Sequence, residues 1–223
     1  MAIACLLGSP RPGGNSDFLA RQVCEAAQAR GAEIWTFRLN ALEFRGCQAC
    51  RACKKESAGC VLTDDLREPL DAMRRADGLV LASPVYYGDV SAQLKAFIDR
   101  TYGFLKPDYL TQAQPATLPR GRRCVVVLAQ GNPDPTAFSD IYPRYEYFLN
   151  WYGYDCRLVR AVGCQAKDDA QGMASAIDCP VLRKARLLSR IGAIRQTGYL
   201  RRLSRNARAS GGISTGFCTP RST

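Results

Sequence analysis

Four cysteines within one short stretch are the side chains best suited to chemistry in this sequence. Cys47, Cys50, Cys53 and Cys60 are spaced C-x2-C-x2-C-x6-C. Two-residue gaps allow successive thiolates to turn toward one compact object, and a [4Fe–4S] cluster takes four thiolates. Zinc sites usually pair two C-x2-C units across a longer spacer. The spacing therefore favours a cluster, with unligated thiols in a loop beside a cofactor as the alternative.

The sequence contains no histidine. This excludes a Ser-His-Asp or Cys-His nucleophile, and it leaves thiolates or oxygen atoms as the metal ligands. No side chain has an unperturbed pKa near neutrality that would suit a proton shuttle. We therefore expect a bound cofactor, and not a side-chain acid–base pair, to supply the chemistry.

The composition is that of a soluble protein with one sizeable core. The chain has 223 residues, of which 47% are hydrophobic and 23% are charged, as in ordinary globular domains. No apolar run approaches the ~20 residues that span a bilayer, and the N-terminus has the pattern of a buried strand and not of a signal peptide. We expect a cytoplasmic location, where thiols are more often metal ligands or redox groups than disulfides.

Seven further cysteines are scattered along the chain. Most lie in apolar segments and are interpreted as small buried hydrophobic residues. Cys164 and Cys179 flank a loop after the last strand and are expected to lie away from the site. The remaining five are Cys5, Cys24, Cys124, Cys156 and Cys218.

A glycine-rich loop follows the first apolar strand. Residues 2–7 lead into the loop 8–16, and an amphipathic helix is predicted over 17–30. Backbone N–H groups at such a helix start can hold a phosphate. The loop is neither a P-loop nor a G-x-G-x-x-G fingerprint, so an ordinary strand-to-helix turn is the alternative. Its candidate donors are Ser9, Asn15, Ser16 and the charged Arg11.

Five apolar strands alternate with helices, which indicates an α/β fold with a doubly wound parallel sheet. The predicted strands are 2–7, 32–39, 78–83, 123–129 and 155–162. The other predicted helices are 63–76 with Asp64 and Asp65 in its first turn, 91–102, a helix carrying Phe138 to Trp151, and 179–194. Ligands bind beyond the carboxyl ends of such strands. Since the loops 8–16, 46–60, 84–89 and 130–135 each follow a strand, we expect them at one rim.

Several motifs, taken in order, resemble one family. They are Gly8 to Ser16, the four cysteines, Asp64-Asp65, and Ser83 to Gly88 with Lys95 to Arg100. Together they resemble the NADPH-dependent FMN reductase family of the flavodoxin superfamily, and within it the iron–sulfur flavoproteins, from residue 1 to about residue 190. The resemblance implies a flavodoxin-like five-stranded sheet of order 2-1-3-4-5 and bound FMN. It also implies homodimers or homotetramers, and a [4Fe–4S] cluster on the cysteine-rich loop after strand 2.

The resemblance also implies roles for residues at matching positions. The FMN phosphate would be held by Ser9, Arg11, Asn15 and Ser16. The isoalloxazine edge would be lined by Pro84, Val85, Tyr86, Tyr87 and Gly88, with Gly131 and Asn132 across from them. The cluster ligands would be Cys47, Cys50, Cys53 and Cys60. Arg51, Lys54 and Lys55 could offset the negative charge of the cluster or guide an acidic ferredoxin, or could form a solvated loop face.

The leading hypothesis is an oxidoreductase that passes electrons between a ferredoxin-type donor and a small-molecule two-electron acceptor. A cluster accepts single electrons and FMN stores two, so the pair joins one-electron and two-electron chemistry. One alternative is a cluster-free NAD(P)H-dependent FMN or quinone reductase, since a nicotinamide can stack on an exposed flavin without a motif of its own. Another is a non-enzymatic electron carrier or redox sensor.

The chain divides by charge into a near-neutral body and a basic end. Ten of the 31 basic residues follow Asp178, and no acidic residue does. We predict a flavodoxin-like domain over 1–195 and a basic, flexible tail over 196–223. A tail of this kind is expected to be solubilising, and no specific nucleic-acid or membrane partner is predicted.

Overall fold

The sheet contains five parallel strands and one short antiparallel strand. In the computed structural model, which describes residues 1–55 and 59–176, the parallel strands follow the order β2-β1-β3-β5-β6. β4 pairs antiparallel with the end of β3. The strands are β1 (Ala2–Leu7), β2 (Glu33–Arg38), β3 (Gly78–Tyr86), β4 (Asp89–Val90), β5 (Arg122–Ala129) and β6 (Tyr154–Ala161).

The parallel α/β architecture is as predicted, but the strand order differs from 2-1-3-4-5. β4 had not been predicted, because two residues after a Tyr-Gly turn are too short to show a hydrophobic period. With β4 counted, the order reads 2-1-3-5-6. The extra strand folds the chain back over the carboxyl end of β3.

Helices cover both faces of the sheet and enclose two apolar cores. Alternate residues of β1 point to opposite faces, so Leu6 packs in one core and Cys5 in the other. The core around Cys5 is closed by the first helix, and the core around Leu6 by the other three. The helices are α1 (Asn15–Gln28), α2 (Arg67–Arg75), α3 (Ala92–Arg100) and α4 (Ile141–Trp151), with 3-10 turns at Leu39–Ala41, Ala52–Lys54, Thr101–Phe104 and Asp169–Ala176.

Two predicted helix starts are wrong. α2 begins at Arg67, and Asp64 and Asp65 precede it because their carboxylates accept N–H groups from another segment, at Arg45 and Glu43. Phe138 precedes α4 in a left-handed conformation, with φ of 60°. Contacts distant in sequence thus decide the start of α2, and the left-handed backbone at Phe138 accompanies the later start of α4.

Most of the scattered cysteines in the described part are buried, as expected. Cys5, Cys24, Cys124 and Cys156 lie inside, and Cys164 is half-buried. The predicted helix 179–194, the tail 196–223, Cys179 and Cys218 lie outside the described residues, so the boundary at residue 195 stays a prediction. Within residues 1–55 and 59–176, no helix is both long and apolar enough to span a membrane.

Candidate functional site

Three polar loops leave the same edge of the sheet. They follow β1, β3 and β5, which are neighbours in the sheet and run parallel. The carboxyl ends of these strands therefore lie side by side, and the cysteine-rich segment follows β2 next to them. This edge is where ligands bind in open α/β sheets.

The loop after β1 ends at the start of helix α1, a type of position that can bind anions. α1 begins at Asn15, and the N–H groups of a helix's first turn have no acceptor within the helix. Ser9 shapes the turn: its Oγ accepts from the backbone N–H of Arg11 and donates to the Arg11 carbonyl, both at 3.1 Å. The side chain of Arg11 is exposed and Ser16 is buried. The free N–H groups and the guanidinium can both meet a phosphate.

The side chain of Asn15, predicted to contact a phosphate, makes hydrogen bonds to the backbone of a distant segment. Its Nδ2 donates to the carbonyl of Ala166 at 2.7 Å, and its Oδ1 accepts from the N–H of Ala170 at 2.9 Å. The side chain therefore fastens the segment 166–170 to the first turn of α1. Its contact with a phosphate stays a prediction.

Asp17 supports the same loop and was missed as a site residue. Its Oδ2 accepts from the N–H of Gly13 at 3.0 Å and from Arg38 at 2.8 Å. The other oxygen, Oδ1, is buried without a hydrogen-bond partner. Gly13 has φ of 67°, so the hydrogen bond from its N–H to the Asp17 carboxylate stabilises a left-handed bend. Arg38 on β2 offsets the negative charge that Asp17 would otherwise present to an anion.

The loop after β3 is a tight hairpin that carries two aromatic rings. Tyr87 and Gly88 have φ of 49° and 73°, as in the two-residue turns that close hairpins. Tyr87 is fully exposed and Tyr86 is 41% exposed. Tyr145 on α4 donates to Asp89 at 2.7 Å and anchors the hairpin. A left-handed tyrosine held on a fixed hairpin is the kind of strained residue found at ligand sites.

The loop after β5 lies beside this hairpin at the same edge of the sheet. Gln130 is buried, and its Nε2 donates to the carbonyls of Asn132 at 2.9 Å and Asp134 at 3.0 Å. Its Oε1 accepts from Nε of Arg160 at 3.0 Å. The predicted pair Gly131 and Asn132 is thus held from behind by Gln130 and Arg160, which sequence reasoning missed.

The hairpin after β3 and the loop after β5 approach each other at Phe138. A Cβ added to Gly88 would lie 3.3 Å from the ring of Phe138, which is partly exposed. Because β3 and β5 are parallel neighbours, residues Pro84, Val85, Tyr86, Tyr87 and Gly88 lie at the same end of the sheet as Gly131 and Asn132, although Val85 packs against the core. The structure thus brings these predicted loops together, and their contacts with a flavin stay predictions.

Cys164 lies closer to this rim than expected. Its backbone N–H donates to the carbonyl of Gln130 at 2.8 Å, and its carbonyl faces Gly131. Burial, and to a smaller extent the negative charge of Asp169, raise the pKa of the Cys164 thiol to about 11. The thiol is therefore protonated at neutral pH, and its backbone, not its sulfur, shapes the loop.

The four cysteines of the motif line one small cavity. Cys47 and Cys50 are exposed, Cys53 is buried and Cys60 is half-buried. They share a cavity of about 30 Å³ with Tyr102 and others. Among the described residues, no group of three or more cysteine, aspartate or glutamate side chains is placed to hold a metal ion. The thiols converge, but they are not gathered at metal-binding distances.

Arg100 joins this cavity to the body of the protein. It is fully buried, and its Nε donates to Sγ of Cys60 at 2.9 Å. Its two amino groups bind both oxygens of Asp64, at 2.8 and 3.1 Å, and the carbonyls of Arg45 and Leu62. Burial alone would raise the pKa of Asp64, but the bonds from Arg100 and Arg45 outweigh it and lower that pKa below its usual value.

Lys54 is turned inward, contrary to the interpretation of a solvated loop face. Its Nζ donates to the carbonyls of Tyr102, at 2.6 Å, and Leu105, and lies 4.0 Å from the centre of the Tyr102 ring. Burial lowers its pKa. Arg51 and Lys55 stay exposed on the loop. Lys54 is thus a second tie between the cysteine segment and residues 102–105.

Comparison with known proteins identifies the family. The family model described as NADPH-dependent FMN reductase matches residues 1–118, more than half of the chain. The chain belongs to the NADPH-dependent FMN reductase family. This confirms the resemblance carried by the motifs, and the matched span contains the loops after β1 and β3 and all four cysteines of the motif.

The curated relatives of this FMN reductase family member include iron–sulfur flavoproteins. One from Methanocaldococcus jannaschii is 43% identical over 101 residues, which cover 45% of this chain and 52% of the relative. One from Methanosarcina thermophila is 42% identical over 101 residues, which also cover 45% of this chain and 52% of the relative. An FMN-dependent NADH:quinone oxidoreductase from Rhizobium meliloti is 27% identical over 139 residues, 59% of this chain and 68% of that protein. The chain spans about half the length of the iron–sulfur flavoproteins it matches.

Solved structures show the same fold at low sequence identity. An NAD(P)H:quinone oxidoreductase from Methanothermobacter marburgensis superimposes with a TM-score of 0.61 and 19% identity, covering 78% of this chain and 90% of that one. An azoreductase from Bacillus anthracis gives a TM-score of 0.59 and 16% identity, covering 79% and 94%. The family member therefore has a flavodoxin-like fold.

Proposed function

We propose that this FMN reductase family member is an FMN-dependent oxidoreductase that also carries a [4Fe–4S] cluster. It would transfer electrons between a one-electron carrier and a two-electron acceptor. The observation that carries the proposal is the common cavity of Cys47, Cys50, Cys53 and Cys60. Four thiols that line one cavity match the four thiolate ligands that a [4Fe–4S] cluster takes.

The rim loops suit FMN. The first-turn N–H groups of α1, with Ser9, Ser16 and Arg11, would bind the phosphate. The hairpin of residues 84–88 and the facing pair Gly131 and Asn132 would enclose the ring system. FMN, when bound, supplies two-electron chemistry. The role of the chain is to orient it, and Tyr86 and Tyr87 would exclude water from one side of it.

The cysteine segment suits a cluster only after a local rearrangement. The cavity is about as large as one water molecule's share of the liquid, ~30 Å³. To bind a cluster the segment would open outward, and the proposed ligands at its surface are the exposed Cys47 and Cys50. A [4Fe–4S] cluster, when bound, supplies one-electron transfer. Lys54 and Arg100 would keep the inner thiols Cys53 and Cys60 in place.

The proposed partners follow from these two cofactors. A ferredoxin or a similar acidic carrier would deliver single electrons, attracted by the exposed cations Arg51 and Lys55. A small molecule would accept two electrons at the rim, and NAD(P)H is a candidate donor at the same place. We further propose a homodimer or homotetramer, as the family resemblance implies.

A second candidate function is a cluster-free NAD(P)H-dependent FMN or quinone reductase. The observation that favours it is the lack, among the described residues, of any cysteine group already placed for a metal. The rhizobial relative, named as an FMN-dependent NADH:quinone oxidoreductase, also supports it. Under this function the cysteine segment is a thiol-lined loop without iron.

Single cysteine variants test the choice between these functions. Cys53→Ser should abolish the broad visible absorbance of iron–sulfur bonds and leave the FMN bands in place. Cys164→Ser is the matched control, a half-buried thiol outside the motif, and should retain both. Identical spectra of the wild type and Cys53→Ser, with flavin bands alone, would instead establish the cluster-free reductase.

A further inference from the structure

All the N–H groups of the Arg100 guanidinium donate hydrogen bonds to residues between 45 and 64. A guanidinium has five N–H donors, and those of Arg100 meet Cys60, both oxygens of Asp64 and two carbonyls. The carbonyls belong to Arg45 and Leu62, so the acceptors flank the cysteine motif on both sides. Because the side chain is buried and rises from the end of α3, its position is fixed by the core.

The bond to Cys60 differs in kind from the others. Asp64 and the carbonyls are ordinary partners for a buried arginine, and they would hold the guanidinium without the sulfur. The Nε–Sγ distance of 2.9 Å is short for a donor to sulfur, and with Cys60 bound to iron as a thiolate this hydrogen bond would be charge-assisted. A fixed cation thus points at one proposed ligand, while Cys47 and Cys50 remain exposed.

We propose that Arg100 is a positioning residue that orients Cys60 as a cluster ligand and raises the reduction potential of the cluster, an inference that rests on the proposed function. Reduction adds one electron, supplied by the carrier, and makes the cluster and its thiolates more negative. A positive N–H donor on a ligand sulfur stabilises that reduced state more than the oxidised one. Hydrogen bonds to sulfur and net charge are known determinants of such potentials.

A second buried arginine offers a matched control. Arg122 is 8% exposed and donates to the carbonyls of Met73, Arg74 and Ala76. None of its hydrogen bonds to the described residues reaches the described part of the cysteine segment. Replacing it removes a buried guanidinium and its carbonyl contacts, as replacing Arg100 does, without removing a donor to sulfur.

The test compares Arg100→Gln, Arg100→Lys and Arg122→Gln with the wild type in the full chain. Iron and FMN are quantified first, and the cluster is then titrated with dithionite and mediators while its paramagnetic signal is recorded. Arg100→Gln should disfavour reduction about tenfold, a change of ~59 mV to lower potential for a one-electron couple. Arg100→Lys keeps the charge and should shift the potential less, and Arg122→Gln should lower the melting temperature only.

The outcomes separate this inference from the proposed function. A wild type with FMN and no iron refutes the cluster itself, before any variant is made. Arg100→Gln with full iron and the potential of the wild type overturns the inference. If Arg100→Gln keeps FMN and loses iron while Arg122→Gln keeps both, orientation of Cys60 is supported. The electrostatic part is then tested on Arg100→Gln after its cluster is restored with iron and sulfide, and a potential equal to that of the wild type contradicts it.

Discussion

Two side chains hold the cysteine segment against the body of the protein. In the residues of this segment that the structure describes, there is one regular turn, Ala52–Lys54. Lys54 reaches the carbonyls of residues 102 and 105, and Arg100 reaches Cys60, Leu62 and Asp64. At the scale of single residues, the site therefore depends on buried cations and on the carboxylate that pairs with one of them.

Asp64→Asn should destabilise the protein at neutral pH by about 2 kcal/mol, the size of a hydrogen bond to a charged group. The carboxylate stabilises the fold while it is ionised, since its folded pKa lies below its usual value. That contribution is present above the unfolded pKa of about 3.9 and is lost as the pH falls through the folded pKa.

Urea unfolding of both proteins at several pH values measures this effect. The difference in free energy of unfolding between wild type and Asp64→Asn should shrink as the solution is acidified below about pH 3.9. A difference that stays constant down to pH 2 would show that the Asp64 carboxylate does not titrate against Arg100.

The rim depends on how whole elements are placed. Gly8 directly follows β1 and lies against the start of α3. Its N–H donates to the carbonyl of Ala82, and its carbonyl accepts from Oγ of Ser91 at 2.7 Å. A Cβ at Gly8 would lie 2.7 Å from that oxygen and 2.8 Å from Cβ of Leu94. The close approach of strand and helix sets where the loop after β1 begins.

Gly8→Ala should therefore lower the free energy of unfolding by ~2 kcal/mol, a usual result of overpacking. Gly172→Ala is the control, because no atom lies within 4 Å of the Cβ it would add and the site is exposed. Thermal unfolding should show a lower melting temperature for the first variant and little change for the second. Equal melting temperatures would mean that α3 shifts freely.

Gln130→Met should weaken FMN binding about tenfold, or ~1.4 kcal/mol. Methionine is similar in length but cannot bind the carbonyls of Asn132 and Asp134 or Arg160, so the loop facing the hairpin loses its support. Gln93→Met, on the exposed face of α3, is the control. Flavin fluorescence titration measures both, and an unchanged dissociation constant for Gln130→Met would contradict this role.

Elements were more predictable than their ends. Apolar runs such as residues 2–7 predicted the parallel strands, because strands buried on both faces show continuous hydrophobic sequence. β4 and the start of α2 were not predictable in this way. A two-residue strand has no period, and Asp64 and Asp65 look like helix-start residues until their partners at 43–45 and Arg100 are known.

At the scale of the whole molecule, the motif order was enough to predict the family and the shared rim. It could not predict the supports that come from distant parts of the chain. Asn15 binds residues 166–170, and Arg160 holds the loop after β5. Each contact joins residues at least 23 positions apart, so no local pattern contains it. Arg100 belongs to the motif of residues Lys95 to Arg100, but only the structure shows its hydrogen bond to Cys60.

The central claim is that one chain binds both FMN and a cluster. The most direct test is purification without oxygen, followed by measurement of iron, acid-labile sulfide and FMN per chain. We predict one FMN with about four iron and four sulfide, as for one cubane site. FMN without iron or sulfide would contradict the cluster and leave the NAD(P)H-dependent reductase, and a protein without flavin would contradict the account as a whole.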